Sequence, residues 1–484
     1  MAKLPRLPYR LMAVALINGA VIMIVELTGS RIIAPYFGSS LYVWTSIIGC
    51  ILVALSVGYW YGGRLADRQP RESVLAGILL TGALFLLGSR LLQDAIMGSV
   101  SAVSPGVLLG SIMVTLLLFV PTTFILGMVS PFVAKLTLID KKHAGESVGL
   151  VFSAGTVGSI VGTFLTGYVL FQYLGNARII LICVMILTGA GMLLKYRKLL
   201  PYQIVLLVIV AVLVARSSVF AYPTKGLVLD RDSAYNRIIV SDVQQRGRTL
   251  RMLQTDALGA QSGIYLGSDD LPFNYTRAFL DVAKLSQDGR TLLIGGGAFT
   301  VPRELARISP QRRVDTVEID PALVQVAKDY FDYRPPASHQ VIHEDARAYL
   351  NNNKQQYDLI LVDAFQSLTP PFQLTTHEAI SKIQKSLSTD GVLAMNLISR
   401  PDWQDSFLAT QYATVRQSFR NIRVYQYKSS GGSSRSQNIF LIASNSELPS
   451  SPSLELDREI VFSEDGLLSP VLTDDFAPVE ALTQ

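Results

Sequence analysis

The chain has 484 residues, of which 50% are apolar, and it carries 42 Lys and Arg against 37 Asp and Glu. That length leaves room for two or three domains, and so small an excess of positive charge does not favour nucleic-acid binding. The two cysteines, Cys50 and Cys183, both lie in apolar runs, which excludes a disulfide framework and a thiolate metal site. We therefore expect neither metal nor nucleic acid among the ligands.

Long apolar runs fill the chain up to about Tyr222, after which charged, polar and apolar residues alternate. A helix needs roughly 20 apolar residues to cross the hydrocarbon core of a membrane, which is about 30 Å thick. Candidate runs lie near 11–33, 42–62, 73–94, 107–134, 147–173, 178–195 and 201–221. They predict an α-helical transmembrane bundle of about seven helices over residues 1–222, crossing the lipid bilayer of the inner membrane several times.

Small residues and prolines mark the interior of these runs. Ala154, Gly158 and Gly162 are spaced four apart, which lets membrane helices approach closely, and we expect them to serve packing. Pro121 and Pro131 are expected to kink or break the fourth run, because proline lacks the N–H that a helix requires.

Positive charge alternates between the loops that join the runs. The cations of the even-numbered loops are Arg64, Arg68, Arg71, Lys135, Lys141, Lys142, Lys195, Arg197 and Lys198, whereas the odd-numbered loops are nearly free of them. Positively charged loops stay in the cytoplasm, so a cytoplasmic N-terminus suits the first six runs. A seventh crossing would then place the second half of the chain outside the cell, unless one run is re-entrant or split.

The second half begins with a strand-like region. Arg237–Val243 and Thr249–Leu253 flank the turn-forming sequence Gln244–Gly247. Two such strands joined by a short Gly-containing turn predict a hairpin. We expect a small antiparallel β lid over residues 223–285.

A glycine-rich loop and an acidic strand end follow. The apolar strand Arg290–Ile294 runs directly into Gly295, Gly296 and Gly297, which lets the chain turn tightly and a ligand approach the backbone. About twenty residues later the next apolar strand ends at Glu318. This spacing suits a ribose, whose two hydroxyls would both donate to the Glu318 carboxylate.

Two further strands also end in carboxylates, at Asp345 and at Asp363. Ligands of doubly wound sheets bind at the carboxyl ends of the strands. The ordered series predicts an α/β Rossmann-like domain of the class I S-adenosylmethionine-dependent type over residues 286–445, with the small β subdomain before it. Residues 446–484 are expected to form a loosely ordered C-terminal extension, of which Asp474–Pro478 could fold back on the site.

The residues from about Gly226 to Ala443 resemble the polyamine aminopropyltransferases, the spermidine synthases. The whole chain resembles a bacterial subgroup in which a membrane domain precedes such a domain, with Glu26–Gly38 and Gly62–Arg68 as matching stretches. The resemblance implies a substrate that is S-adenosylmethionine or its decarboxylated form, transfer of an aminopropyl-type group to a small amine, and release of methylthioadenosine.

The resemblance also implies roles for individual residues. Asp363 would orient and deprotonate the amine, with Tyr275 and Tyr235 as further catalytic residues. The nucleotide would be held by Gly295, Gly296, Gly297, Glu318, Asp345, Ala346 and Gln261, with Glu318 on the ribose and Asp345 and Ala346 on the adenine. Since such ligands are made in the cytoplasm, we expect the second half on the cytoplasmic side; a homodimer is possible.

Two carboxylates of the soluble family members are missing. Ala298 replaces an Asp that holds the terminal ammonium of the substrate, and Gln366 replaces an Asp that grips the polyamine. Without an anion, a partly buried amine would lose a few kcal/mol of binding. The sequence therefore also suits a lyase or cyclase of S-adenosylmethionine, which needs Asp363 as a base but no acceptor.

Two more hypotheses remain, of which the first belongs to a different class of protein. A transporter or sensor could bind a nucleoside without catalysis, and the ionisable Glu26 and Arg31 inside the first run agree with it, although they also suit a structural ion pair. A methyltransferase is the second of these hypotheses, because Rossmann-like domains serve many reactions.

Overall fold

The computed structural model of the chain describes residues 9–103, 106–138, 144–194, 196–216, 226–255, 260–286, 289–364, 370–400, 406–427, 437–448, 456–462 and 469–482. The chain divides into two compact units. The first comprises Met1–Tyr222 with Arg231–Asn236, and the second comprises Pro223–Asp230 with Arg237–Gln484.

The first unit is helical. Its helices are α1 (Tyr9–Phe37), α2 (Leu41–Arg68), α3 (Glu72–Val103), α4 (Gly106–Leu118), α5 (Val120–Gly127), α6 (Val129–Thr137), α7 (Ala144–Leu165), α8 (Phe171–Tyr173), α9 (Asn176–Met192) and α10 (Leu200–Arg216), and a π-helical turn at Thr166–Leu170 joins α7 to α8. The predicted fourth run is broken into α4, α5 and α6, with Pro121 and Pro131 in the first turns of the latter two. The predicted break is thus confirmed, because neither proline can donate the hydrogen bond that would continue a helix.

Five helices of the described chain are long and apolar enough to cross a membrane by length and composition. They are α1, α2, α3 and two composite helical stretches. The first stretch, Val120–Thr137, consists of α5 and α6 in succession, and the second, Ala144–Tyr173, consists of α7, the π-helical turn and α8. The sixth and seventh runs form helices at the expected positions, but α9 and α10 have 17 residues each. At 1.5 Å per residue such a helix is about 26 Å long, short of the hydrocarbon thickness.

Glycines allow two helix pairs of the first unit to touch through their backbones. A Cβ on Gly158 of α7 would lie 1.9 Å from the Leu16 carbonyl oxygen of α1, and one on Gly162 would lie 2.5 Å from that of Ala20. In the second helix pair, a Cβ on Gly58 of α2 would lie 2.3 Å from the carbonyl oxygen of Phe124 in α5. The small-residue spacing read from the sequence therefore serves close helix packing.

The second unit begins with a small sheet of β1 (Leu227–Asp232), β2 (Arg237–Gln245), β3 (Arg248–Gln254) and β4 (Ser262–Tyr265), in that order. β3 is antiparallel to both β2 and β4. Arg246 and Gly247 form the turn between β2 and β3 with φ of 51° and 78°. A two-residue turn with positive φ at both positions matches the twist of a hairpin, as the sequence predicted.

The large sheet contains β5 (Arg290–Ile294), β6 (Arg313–Val317), β7 (His339–Ile342), β8 (Tyr357–Val362), β9 (Leu387–Ser399), β10 (Asn421–Tyr427), β11 (Gln437–Ser444) and β12 (Leu456–Glu459). Its order is β12-β10-β11-β9-β8-β5-β6-β7. Strands β5 to β9 are mutually parallel where they pair, and β11 is antiparallel to its neighbours β9 and β10. The Rossmann-like part of the expected fold is confirmed, with a mixed sheet.

Helices of the second unit connect these strands. They are α11 (Asn274–Leu285), α12 (Thr300–Ile308), α13 (Pro321–Tyr330), α14 (Ala346–Asn352), α15 (His377–Lys385), α16 (Phe407–Arg416) and α17 (Val479–Leu482). The sequence analysis placed α11 with the lid, but its Tyr275 and Phe279 pack with Leu293, Leu359 and Phe440 of the large sheet. The apolar face of α11 is therefore part of the Rossmann-like core.

The C-terminal extension is folded over its described residues. β12 pairs with β10, and Leu472 and Val479 are buried in the core that contains Ile380 and Phe407. The expectation of a loosely ordered tail is therefore wrong for residues 456–462 and 469–482. Its apolar side chains complete the core, although the surrounding sequence is rich in Ser, Pro and acids.

Candidate active site

The strand order of the large sheet reverses between β5 and β8, and ligands bind at such a switch point. Gly295 follows β5 there and Asp363 follows β8, and the Asp363 N–H donates to the Ile294 carbonyl over 2.8 Å. Gly295 has φ of 91°, and a Cβ at this position would lie 2.5 Å from the Asp363 carbonyl oxygen. The positive φ and the close approach both require glycine at position 295, and they bring the loop after β5 against the end of β8.

Glu318 follows β6 and ties its strand end to the glycine loop. Its Oε2 accepts the Gly296 N–H over 2.8 Å, and its Oε1 accepts the Asp320 N–H over 2.9 Å. Burial raises the pKa of Glu318, and the two N–H donors partly oppose that rise. A carboxylate oxygen accepts more than one hydrogen bond, so this buried group can still accept from a ligand hydroxyl.

Asp345 caps the next helix at the neighbouring strand end. Its Oδ1 accepts the Ala348 N–H over 3.0 Å at the start of α14. The first N–H groups of a helix have no partner within the helix, and Ala346 occupies the first position of α14. The turn therefore suits a ligand that accepts a hydrogen bond from the backbone. Glu318 is joined to the same edge because its N–H donates to the Ile342 carbonyl over 3.0 Å.

Asp363 is the carboxylate at the centre of this edge. The Asn396 side chain donates to its Oδ1 over 3.1 Å. Burial raises the pKa of Asp363 to about 6, while the Asn396 donor acts in the opposite direction. A carboxylate with such a pKa is ionised at neutral pH and is a stronger base than an ordinary aspartate.

Tyr275 and Gln261 meet beside this carboxylate. The Tyr275 hydroxyl donates to the backbone carbonyl of Gln261 over 2.7 Å, so the contact uses the backbone of Gln261. Burial and then the charge of Asp363 raise the pKa of Tyr275, which keeps the phenol protonated. Tyr275 therefore remains a hydrogen-bond donor near Asp363 throughout the physiological pH range.

The sequence analysis missed Asn396 in β9 and Tyr427 at the end of β10. Both are buried, and the Asn396 Oδ1 and the Tyr427 hydroxyl find no hydrogen-bond partner within the part of the chain that the structure describes. Burial raises the pKa of Tyr427, followed by the charges of Asp363 and Tyr275. Each residue lies near the carboxyl end of its strand, but neither is acidic, so the search for carboxylates that found Glu318, Asp345 and Asp363 passed over both.

Three other positions bear on the site. Tyr235 is 51% exposed and lies in the segment that groups with the first unit, so its catalytic role stays a prediction. Gln366 lies outside the described residues. Ala298 is fully buried in an apolar cluster with Ile238 and Val240, so the surroundings of this neutral side chain are apolar as well. Among the described residues, no group of three or more His, Cys, Asp or Glu is arranged to hold a metal ion.

The second unit is therefore a Rossmann-like domain with a candidate ligand site at the switch point of its sheet. A family model of the spermine/spermidine synthase domain matches residues 273–430. A polyamine aminopropyltransferase of Vibrio vulnificus is 30% identical over 259 residues, which cover 52% of this chain and 83% of that protein. A probable polyamine aminopropyl transferase of Bifidobacterium longum is 28% identical over 289 residues, 54% of this chain and 64% of that protein.

The chain therefore belongs to the polyamine aminopropyltransferase family, the spermidine synthases, whose members are transferases. The family resemblance and the enzyme class expected from the sequence are confirmed. A solved structure of a probable spermidine synthase from Corynebacterium glutamicum is 24% identical, with a TM-score of 0.41, and the match covers 48% of this chain and 85% of that one.

Proposed function

We propose that this chain is a membrane-attached transferase whose substrate is an adenosyl sulfonium compound, either S-adenosylmethionine or its decarboxylated form. It would alkylate a small amine and release methylthioadenosine. The observation that carries the proposal is Asp363, a carboxylate beside the glycine loop at the switch point, with a pKa raised to about 6. Membership of a family of polyamine aminopropyltransferases supports the same chemistry.

The nucleotide half of the ligand fits the first three strand ends. The Glu318 carboxylate, already fixed by two backbone N–H groups, suits the ribose hydroxyls. The Asp345 turn and the backbone N–H groups at the start of α14 suit the edge of an adenine. Gly295 supplies the close backbone approach that a ligand at this loop needs.

The chemical step needs little beyond alignment and a base, because a sulfonium is a good leaving group. The amine nitrogen attacks the carbon next to sulfur, a C–N bond forms as the C–S bond breaks, and the bonding pair leaves with sulfur as a neutral thioether. The proton lost by the amine passes to Asp363. Asn396 holds the Asp363 carboxylate in place, and its own unpaired Oδ1 can accept an N–H from the amine.

The apolar helices of the first unit support attachment to a membrane. Five of them have the length and composition to cross it. We propose that the first unit anchors the enzyme in the inner membrane and that the second unit lies on the cytoplasmic side, where adenosyl sulfonium compounds are made.

An acceptor-independent reaction of the same ligand is the second candidate, and Ala298 favours it. Its methyl group lies in an apolar cluster, where the soluble family members carry the Asp expected to hold an ammonium. In one form of this reaction a nucleophilic group of the ligand itself attacks the carbon next to sulfur. Alternatively, Asp363 removes a proton beside that carbon, the C–S bond breaks, and an alkene forms. Both routes release methylthioadenosine without any added amine.

The test is release of methylthioadenosine by the purified full-length protein, measured by mass spectrometry with each sulfonium compound, with and without putrescine. We expect Asp363→Asn to lower turnover by about 10²- to 10⁴-fold, the usual contribution of a positioned base. Nucleotide binding measured by calorimetry should remain. The control is Asp475→Asn, a change at an exposed residue, and this variant should convert the substrate at the rate of the parent. Failure of the parent to release methylthioadenosine from either compound would remove the proposal.

A further inference from the structure

The C-terminal segment 469–482 is held on the second unit by both backbone and apolar contacts. Leu472 and Val479 are only 1% and 3% exposed. The His377 N–H donates to the Leu472 carbonyl over 2.7 Å, and the Leu472 N–H donates to the Thr414 hydroxyl over 3.0 Å. These contacts hold the segment against the helices α15 and α16.

Asp474 lies between these two anchored residues and is bonded through both its carboxylate and its N–H. The Thr376 hydroxyl donates to its Oδ1 over 2.7 Å, and the Arg347 guanidinium donates to its Oδ2. The Asp474 N–H in turn donates to Glu378 Oε2 over 3.0 Å. The carboxylate therefore has a defined position although it is partly exposed.

Arg347 connects this carboxylate to the start of α14. It comes directly after Ala346, and its Nη1 donates to the Gln373 carbonyl over 2.9 Å and to the Thr376 hydroxyl over 3.1 Å. A cation in the first turn of a helix is unfavourable, because the helix dipole is positive at that end. Asp474 supplies the neutralising anion, and the Arg347 side chain is only 15% exposed.

We propose that Asp474 is a positioning residue for nucleotide binding. Through Arg347 it fixes the turn at Asp345 and Ala346 relative to the segment Phe372–Thr376, which follows the Asp363 loop in the chain. The inference rests on the proposed function, which assigns the adenine to this turn. Because Asp363 lies on a different strand, loss of Asp474 weakens nucleotide binding and leaves the chemical step intact.

The experiment measures the affinity of the full-length protein in detergent for methylthioadenosine and for S-adenosylmethionine by calorimetry. We expect Asp474→Ala to weaken both by about tenfold, as expected for loss of a hydrogen-bonded charge partner. The kcat at saturating substrate should stay close to that of the parent, and Asp474→Glu should restore part of the affinity. The adjacent exposed residue serves as the matched control, and Asp475→Asn should bind like the parent.

Two further measurements separate positioning from a loss of folding. The double variant Arg347→Ala with Asp474→Ala should lose no more affinity than Arg347→Ala alone, because Asp474 acts on the turn through Arg347. Hydrogen exchange of the amides at 345–349 and 372–376 should be faster in Asp474→Ala, with the melting temperature nearly unchanged.

The outcomes are distinct. Parent-like affinity and parent-like exchange in Asp474→Ala would overturn the inference. If the parent itself binds no adenosyl compound, the proposed function fails, and the exchange measurement still decides whether Asp474 holds the turn.

Discussion

In the reaction that we propose, a single carboxylate, Asp363, is the base. Its neighbours are the neutral Asn396, Tyr275 and Tyr427, and burial raises its pKa to about 6. A carboxyl group acts as a base only when ionised, so the group is active above this pKa and inactive below it. The raised pKa also means that the folded protein holds the proton more tightly than the unfolded chain does, so the stability that this proton contributes is lost as the pH rises from the ordinary pKa of 3.8 to about 6.

The first prediction concerns the pH dependence of turnover. We expect kcat/KM to fall about tenfold per pH unit below about pH 6 as Asp363 becomes protonated. Asn396→Ala removes the donor that favours the charged carboxylate, so the acid limb should move to higher pH. Activity should then drop by a larger factor near pH 6 than at pH 8, where Asp363 remains ionised and only the contacts made by Asn396 are lost. An unchanged acid limb in this variant would show that Asn396 does not act on the base.

The second prediction compares two glycines of the same loop. A Cβ at Gly295 would lie 2.5 Å from the Asp363 carbonyl, whereas one at Gly297 would lie 3.7 Å from its nearest neighbour. Both residues have positive φ, so alanine strains both positions by about 1–2 kcal/mol, and only Gly295→Ala also displaces the strand end. Calorimetry should show more than a tenfold loss of nucleotide affinity for Gly295→Ala and a smaller loss for Gly297→Ala. Equal losses would contradict the argument.

At the scale of elements, the helices and strands pack together differently in the two units. In the second unit, parallel strands bring sequence-distant ends to one edge, and the helices between them cover the sheet. In the first unit, helices α1 and α7 approach so closely that Gly158 lies against the backbone of Leu16. Apolar surface gives little preference between helices in lipid, so in the membrane location that we propose such close contact would supply the specificity of packing.

The third prediction tests this contact within one helix. Gly158→Ala would place a methyl group 1.9 Å from the Leu16 oxygen, so α1 and α7 must separate. We expect the melting temperature in detergent to fall by several degrees and the yield of monodisperse protein to drop. Gly149 lies in the same helix and has nothing within 4 Å of an added Cβ, which makes Gly149→Ala the control. That variant should be neutral or slightly stabilising, because alanine favours a helix over glycine.

At the scale of the molecule, an enzyme-like unit follows a unit of apolar helices in one chain. Five helices have the length to cross a membrane, and α9 and α10 are shorter. A cytoplasmic second unit with a cytoplasmic N-terminus requires an even number of crossings. The seven expected crossings become six, an even number, if one of the short helices α9 and α10 does not cross the membrane.

The fourth prediction concerns this orientation. We expect green fluorescent protein fused to the C-terminus to fluoresce and alkaline phosphatase fused at the same position to be inactive, because both report a cytoplasmic end. The same membranes should retain the protein after carbonate extraction. An active phosphatase would place the second unit outside the cytoplasm, away from the supply of adenosyl sulfonium compounds.

The sequence by itself determined the strand ends of the site. Gly295, Glu318, Asp345 and Asp363 follow apolar strands in chain order, and parallel strands must present their carboxyl ends at one edge of a sheet. The apolar runs likewise predicted the helices of the first unit, because hydropathy and length are local properties. The number of crossings remained undecided, since seven runs with the observed loop charges conflict with a cytoplasmic second half.

Only the tertiary structure decided which other residues join that edge. Asn396 meets Asp363 because β9 pairs in parallel with β8, with Met395 opposite Val362. Tyr427 comes to the same edge because β11 inserts antiparallel between β9 and β10, and both arrangements are set by long-range pairing. Asp474 meets Arg347 across 127 positions of the chain, because Leu472 and Val479 complete a core far away in sequence. Contacts of this kind depend on which surfaces pack together, and a local pattern of residues carries no record of them.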